Sequence, residues 1–272
     1  MQQLISKSYK GRYPFRIGTT SYIYPDNIIE NIKKTGRYVD EIELLFFESK
    51  PSSLPSSNDI QQLYNLAEKY NLSYNIHLPT DIFLGDFDHN ARFYAVNSLL
   101  HLFDLLSPLP YSTCTLHLEC NRSLINKTDI KKWQDLTYKS MEKLVVSGIK
   151  SELISIETLM YPFEWAEKII TDFNFSVCLD IGHLILLKKN IKRIFNKYRH
   201  KTSIIHLHGV KRDRDHMPLD TLTEKQMISV VDILKNFNQT VSLEIFSLNY
   251  LIRSLSFLDR FWEKHVKGEP DL

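Results

Sequence analysis

Short runs of β-branched and aromatic residues alternate with longer amphipathic segments from one end of this chain to the other, and no other feature constrains its fold so tightly. Such alternation predicts parallel βα units, because parallel neighbours need a long crossover and an amphipathic helix supplies one. Strands are expected at Phe15–Thr20, Glu41–Phe46, Ser73–Leu78, Thr113–Leu118, Leu153–Glu157, Ser176–Leu179, Ser203–His208 and Val241–Phe246. Helix starts are expected near Asp26, Ser56, Thr128 and Thr223, whose side chains can accept from free backbone N–H groups. Units of this kind either lie open or close into a barrel. An open dinucleotide-binding sheet would place a glycine-rich phosphate turn after its first strand, whereas the sequence there is GTTSYIYPD with a lone Gly18. The expected fold is therefore α/β, a single (β/α)8 TIM barrel, and 272 residues suit one such domain. Residues 1–14 and 265–272 are expected to be loose tails.

Composition excludes several classes. Lys and Arg number 34 against 32 Asp and Glu, so the strong positive field of a nucleic-acid binder is missing and a nucleic-acid partner is not expected. The three cysteines, Cys114, Cys120 and Cys178, show no C-x-x-C spacing and read as reduced thiols. No apolar run approaches the ~18 residues that span a bilayer, so a cytoplasmic protein acting on a small molecule is expected, with no membrane partner.

The strand ends carry the chemistry. NIHLP brings His77, TLHLE His117, SIET Glu157, CLDIGH Asp180 with His183, IIHLHG His206 with His208, and SLEIF Glu244. In a parallel barrel these ends open on one face, where residues distant in sequence converge. Glu157 and Glu244 sit in apolar strands without a Lys or Arg, and a buried carboxylate is costly unless a cation meets it. Mixed carboxylate and imidazole donors suit Zn²⁺, Mn²⁺ or Fe²⁺. His206 is the better ligand of its pair, with His208 a supporting or substrate contact. The following segment, KRDRDHMPL, places Lys211, Arg212 and Arg214 where they could hold a phosphate, close to His216.

These strand ends resemble the xylose-isomerase-like barrel superfamily, which includes sugar isomerases and epimerases and the apurinic endonucleases of the endonuclease IV type. The isomerase branch implies one divalent metal held by Glu157, Asp180, His206 and Glu244. The endonuclease branch implies a metal cluster, to which His77, His117, His183 and His216 correspond. That branch has an Asp two positions before the loop histidine, where this chain has Arg214 flanked by Asp213 and Asp215. More narrowly, IGTTSYIYPDNI, VDEIELLFFES, NIHLPTDIFLGD, SVCLDIGHL and IIHLHGVKRDRDH resemble the cobamide-remodelling phosphodiesterases, the CbiR family.

That resemblance implies hydrolysis of the phosphoribosyl linkage in the nucleotide loop of a cobamide. It implies two or three Zn or Mn ions, with Glu157 as a bridge and His183, His216, Arg212 and Arg214 acting on the phosphate. His208, Lys211, Tyr22 and Glu43 are the implied substrate contacts. The alternative reading is a one-metal isomerase or epimerase acting on a sugar or phosphorylated sugar, followed by an apurinic endonuclease or a non-catalytic corrinoid-binding protein.

Overall fold

A computed structural model describes residues 5–120 and 126–268. Seven parallel strands come first: β1 (Arg16–Thr20), β2 (Glu41–Leu45), β3 (Ser73–His77), β4 (Tyr111–Leu116), β5 (Ile154–Glu157), β6 (Ser176–Asp180) and β7 (Thr202–Leu207). A hairpin of β8 (Gly209–Lys211) and β9 (Arg214–Met217) follows, and then β10 (Thr240–Leu243). The first seven strands and β10 close into an eight-stranded barrel, with β10 seated between β7 and β1. Gly18 has a packing reason: a Cβ there would stand 3.0 Å from the Glu41 carbonyl of the neighbouring strand.

Helices cover the outside with their apolar faces inward. Ser56 and Thr223 each form a capping box with the residue three places on, Asp59 and Gln226. Asn27 and Asn126 cap the helices expected to start at Asp26 and Thr128. Trp133, on the helix Lys127–Val146, is buried and donates its indole N–H to the Glu119 carbonyl at 3.0 Å. This bond ties the segment after β4 to the helical layer.

Two expectations need correction. Residues 5–14 are not loose: Ile5, Tyr9 and Tyr13 are buried, and Lys7 and Arg12 both pair with Asp259 on the final helix. The polar look of that segment concealed every-fourth-residue apolar anchors. At the other end helical structure continues to Lys267, and His265 stacks on Phe261; residues 1–4 and 269–272 lie outside the described residues. The segment after β7 forms a hairpin. Arg212 takes the left-handed conformation (φ 58°) in its tight turn.

Register brings the strand ends into one layer. Thr115 pairs with His77, so His117 lies two residues on, on the same side of β4. Cys178 pairs with Glu157, so Asp180 likewise rises one step above it, and Asp180 itself pairs with His206. Ser242 pairs with His206, which sets Glu244 one step higher again.

Candidate metal centre

Two layers of the barrel interior hold buried carboxylates, and they differ in kind. At the N-terminal end, Glu41 is fully buried and satisfied: Ser73 Oγ, Ser112 Oγ and Asn75 Nδ2 donate to it at 2.6, 2.8 and 3.0 Å, and Arg16 Nε lies 3.1 Å away. At the C-terminal end, Glu157, Asp180 and Glu244 are buried among imidazoles.

Glu157 is the hub. Its Oε2 lies 2.9 Å from His117 Nε2, 3.6 Å from His77 Nε2 and 3.6 Å from His206 Nδ1, while Oε1 is 3.5 Å from His183 Nδ1. Glu244 Oε2 stands 3.2 Å from His206 Nδ1, and Asp180 Oδ2 3.2 Å from His183 Nδ1. Asp180 also accepts the backbone N–H of His183 at 2.7 Å, capping the short helix Ile181–Leu186 and fixing where His183 stands.

The donor set fits divalent ions. Nδ1 of His206, Nδ1 of His183 and Oε2 of Glu244 are buried without a hydrogen-bond partner among the described residues. Leaving so many polar atoms unpaired would be costly. Many of the spacings are too long for charge-assisted hydrogen bonds of about 2.7–2.9 Å. They match instead the edge of a ligand tetrahedron, about 3.4 Å for bonds of about 2.1 Å. Groups able to hold an ion include His77 with His117 and Glu157, Glu157 with Asp180 and His183, and Glu157 with Cys178 and His206.

Outer partners orient the imidazoles as metal ligands require. His77 Nδ1 lies 3.0 Å from the Leu78 carbonyl, and His117 Nδ1 lies 3.0 Å from Glu119 Oε1, so each presents Nε2 to Glu157. Electrostatics agree. Burial disfavours the charged form of His117, but Glu157 and the bonds to Glu119 and Glu157 outweigh it and raise its pKa to about 10. His183 likewise rises to about 10 against its burial, through Asp180 and Glu157. Burial pushes Glu157 and Glu244 up, yet the facing imidazoles bring both below the usual carboxylate range. Without metal, protons neutralise the cluster.

The sequence matches the xylose isomerase-like TIM barrel model over residues 29–261. The chain belongs to that family. Among curated proteins no sequence matches it. Similar solved structures include a D-tagatose 3-epimerase-like protein (17% identity, TM-score 0.74, covering 93% of this chain and 99% of that one). Endonuclease IV from Thermus thermophilus is similar at 16% identity and TM-score 0.66, covering 92% and 99%. The IolI protein with a binding zinc atom follows at 16% and 0.70, covering 94% and 100%. At such identities these likenesses speak for the fold.

Within this family barrel the remaining expected residues fall in distinct places. Glu43 is fully buried beneath His206, with its Oε1 3.1 Å from His206 Nε2 and its other oxygen accepting from Ser242. It faces away from solvent, under the cluster. His208 is also fully buried, its Nε2 3.3 Å from Asp180. His216 is partly exposed and turns Nδ1 toward the Glu244 carbonyl at 3.1 Å. Lys211, Arg212 and Arg214 are exposed on the hairpin, and no hydrogen bond or ion pair ties their side chains to another described residue. Tyr22 packs on Phe47, Phe47 on Phe246 and Phe246 on His216, with centroids 5.2, 6.4 and 5.1 Å apart. This aromatic wall runs from the rim to the cluster. Sequence reasoning overlooked Phe246, Glu119 and Cys178 as site residues; the first two stand at or just beyond strand ends already singled out, and Cys178 is two residues before Asp180.

Among the described residues, no helix is long and apolar enough to cross a membrane.

Proposed function

We propose that this family member is a metal-dependent phosphodiesterase that opens the nucleotide loop of a cobamide at its phosphoribosyl linkage. The observation carrying this reading is the position of Glu157 at the centre of four imidazoles, with Oε2 facing His77, His117 and His206 and Oε1 facing His183. A carboxylate so placed can serve two ions, and paired ions suit in-line displacement at a phosphodiester. When bound, Zn²⁺ or Mn²⁺ ions would lower the pKa of a water and stabilise charge on the phosphoryl oxygens.

The chain's own residues do the rest. His77 and His117 would hold one ion with Glu157, and Asp180, His206 and Glu244 would hold the other. Glu43 holds His206 from below. His183 and His216 stand at the outer edge, and the exposed Arg212 and Arg214 supply a bidentate grip on a phosphate. The Tyr22–Phe47–Phe246 wall offers flat apolar surface to the base and ribose of the leaving nucleoside. A net charge of +2 fits a small substrate better than duplex DNA.

A second reading has support of its own. Glu157, Asp180, His206 and Glu244 alone can hold one ion, and sugar epimerases recur among the similar structures. That favours a one-metal epimerase acting on a sugar or sugar phosphate. Incubating metal-loaded protein with a cobamide, an abasic-site duplex and a panel of ketoses separates the readings. Release of a nucleoside from the cobamide is the expected result; epimerised ketose with intact cobamide would overturn it.

A further inference from the structure

The segment 188–201, KKNIKRIFNKYRHK, carries seven Lys or Arg and no Asp or Glu, in a chain whose net charge is only +2. It opens with the turn that ends the helix Ile181–Leu186. There the Lys188 N–H donates to the Ile185 carbonyl and the Lys189 N–H to the Leu184 carbonyl, both at 2.9 Å, closing a helix end of the kind that usually stops at glycine. Lys188 takes the left-handed conformation that glycine adopts freely (φ 53°). The chain thus keeps a cation where its backbone favours glycine.

This turn forms one wall of a groove of about 500 Å³ that reaches from the helix Ile191–Tyr198 to the helix Glu224–Leu234. Lys188, Lys189, Lys192 and Lys225 line it, and no acidic residue is among its walls. Lys192 pairs with Asp232 of the second helix and ties the two helices together. The ammonium groups of Lys188, Lys189 and Lys225 are exposed and have no hydrogen bond or ion pair with another described residue. Like charges gathered along one groove repel one another, and an anion is the occupant that relieves them. The groove is separate from the metal centre: His183, on the same short helix as Lys188's turn, faces Asp180 and Glu157 instead.

We propose that this lysine groove binds a small molecule bearing two phosphoryl groups, at a site independent of the metal centre. Lysine holds phosphate as a point charge with three donors, so a cluster of lysines suits a flexible, highly charged anion better than a planar carboxylate. The charge count sets the number of groups. One phosphoryl group carries about −1.5 to −2 near pH 7, which leaves part of the cluster uncompensated. Two carry about −3 to −4 and match the three lysines without a counter-ion together with Lys192, which Asp232 already shares.

Equilibrium dialysis of the metal-loaded full chain against labelled ADP and labelled fructose 1,6-bisphosphate, at about 0.15 M salt, tests this. Saturable binding of at least one is expected, and the tighter of the two tells whether the phosphates arrive on a nucleoside or on a sugar. Lys188→Gly removes the left-handed lysine and should melt no lower than the wild type, yet bind that ligand about 10-fold more weakly, the size of one lost charge-assisted hydrogen bond. Lys188→Glu combined with Lys225→Glu should abolish binding. The same charge change on another helix, Lys139→Glu with Lys143→Glu on exposed positions of Lys127–Val146, should leave it intact. Glu157→Gln should leave it intact as well. Absence of saturable binding would overturn the proposal, as would equal losses from the two charge-reversed pairs, the mark of a general effect of net charge. Binding lost in Glu157→Gln but kept in Lys188→Gly would put the anion on the metal centre and overturn it too. No readout here depends on cobamide cleavage, so this site and the function proposed above stand or fall separately.

Discussion

His206 Nε2 lies 3.1 Å from Glu43 Oε1 at the floor of the metal centre, while His206 Nδ1 faces Glu244 and Glu157. A carboxylate behind an imidazole sets its tautomer and raises its strength as a ligand, and losing such a partner typically costs about 10–100-fold in metal affinity. Glu43→Gln should therefore weaken metal binding by roughly that factor, with the circular dichroism spectrum unchanged. Metal titration followed by calorimetry checks it, and an unaltered affinity would refute the role.

Glu157→Gln removes the charge shared by both donor groups yet keeps the side chain's shape. Activity should fall by more than the roughly 100-fold typical of an outer partner, and fewer ions should be bound per chain. If the variant turns over normally with a full metal count, the bridge is elsewhere.

The metal-free protein should show a distinctive pH profile of stability. His117 and His183 titrate near 10 in the folded chain against an ordinary 6.5, so their contribution is complete below about 6.5 and fades as pH rises toward 10. Glu157, Asp180 and Glu244 are depressed, so theirs is present above the unfolded carboxylate range and is lost as pH falls. The stripped chain should melt highest between these limits. Bound metal replaces the protons, so the gain in Tm on adding Zn²⁺ should be larger at about pH 9 than at about pH 6. Equal gains at both values would contradict the picture.

Arg212 and Arg214 stand exposed on the hairpin, their side chains without a described partner. Substitution of either by Ala should raise KM by about 10-fold, the size of one lost charge-assisted hydrogen bond, with the larger effect marking the phosphate contact. Because one phosphodiester is gripped, KM should depend only shallowly on salt, unlike a duplex binder whose affinity falls with a slope of about −0.9 per phosphate. Steep salt dependence with cleavage of abasic DNA would point to repair chemistry instead.

Strand–helix alternation and the acid or imidazole at each strand end were legible in the chain itself, because both follow from local periodicity and from the rule that parallel strands end together. That His77, His117, Glu157, Asp180, His206 and Glu244 meet at one end of the barrel could be read for that reason. What required the fold was depth. Glu43 and Glu41 lie on the same strand and look alike in sequence, yet register places one under His206 and the other among donors at the opposite end. The seat of His208 is likewise tertiary: the hairpin folds back on its ring and Gly182 leaves room for it. The burial of residues 5–14 against the final helix was equally hidden, since its partner Asp259 is more than 240 residues away. Periodicity records which side of its own element a residue faces; which groups meet it across the barrel depends on closure and register, and only the tertiary structure decides those.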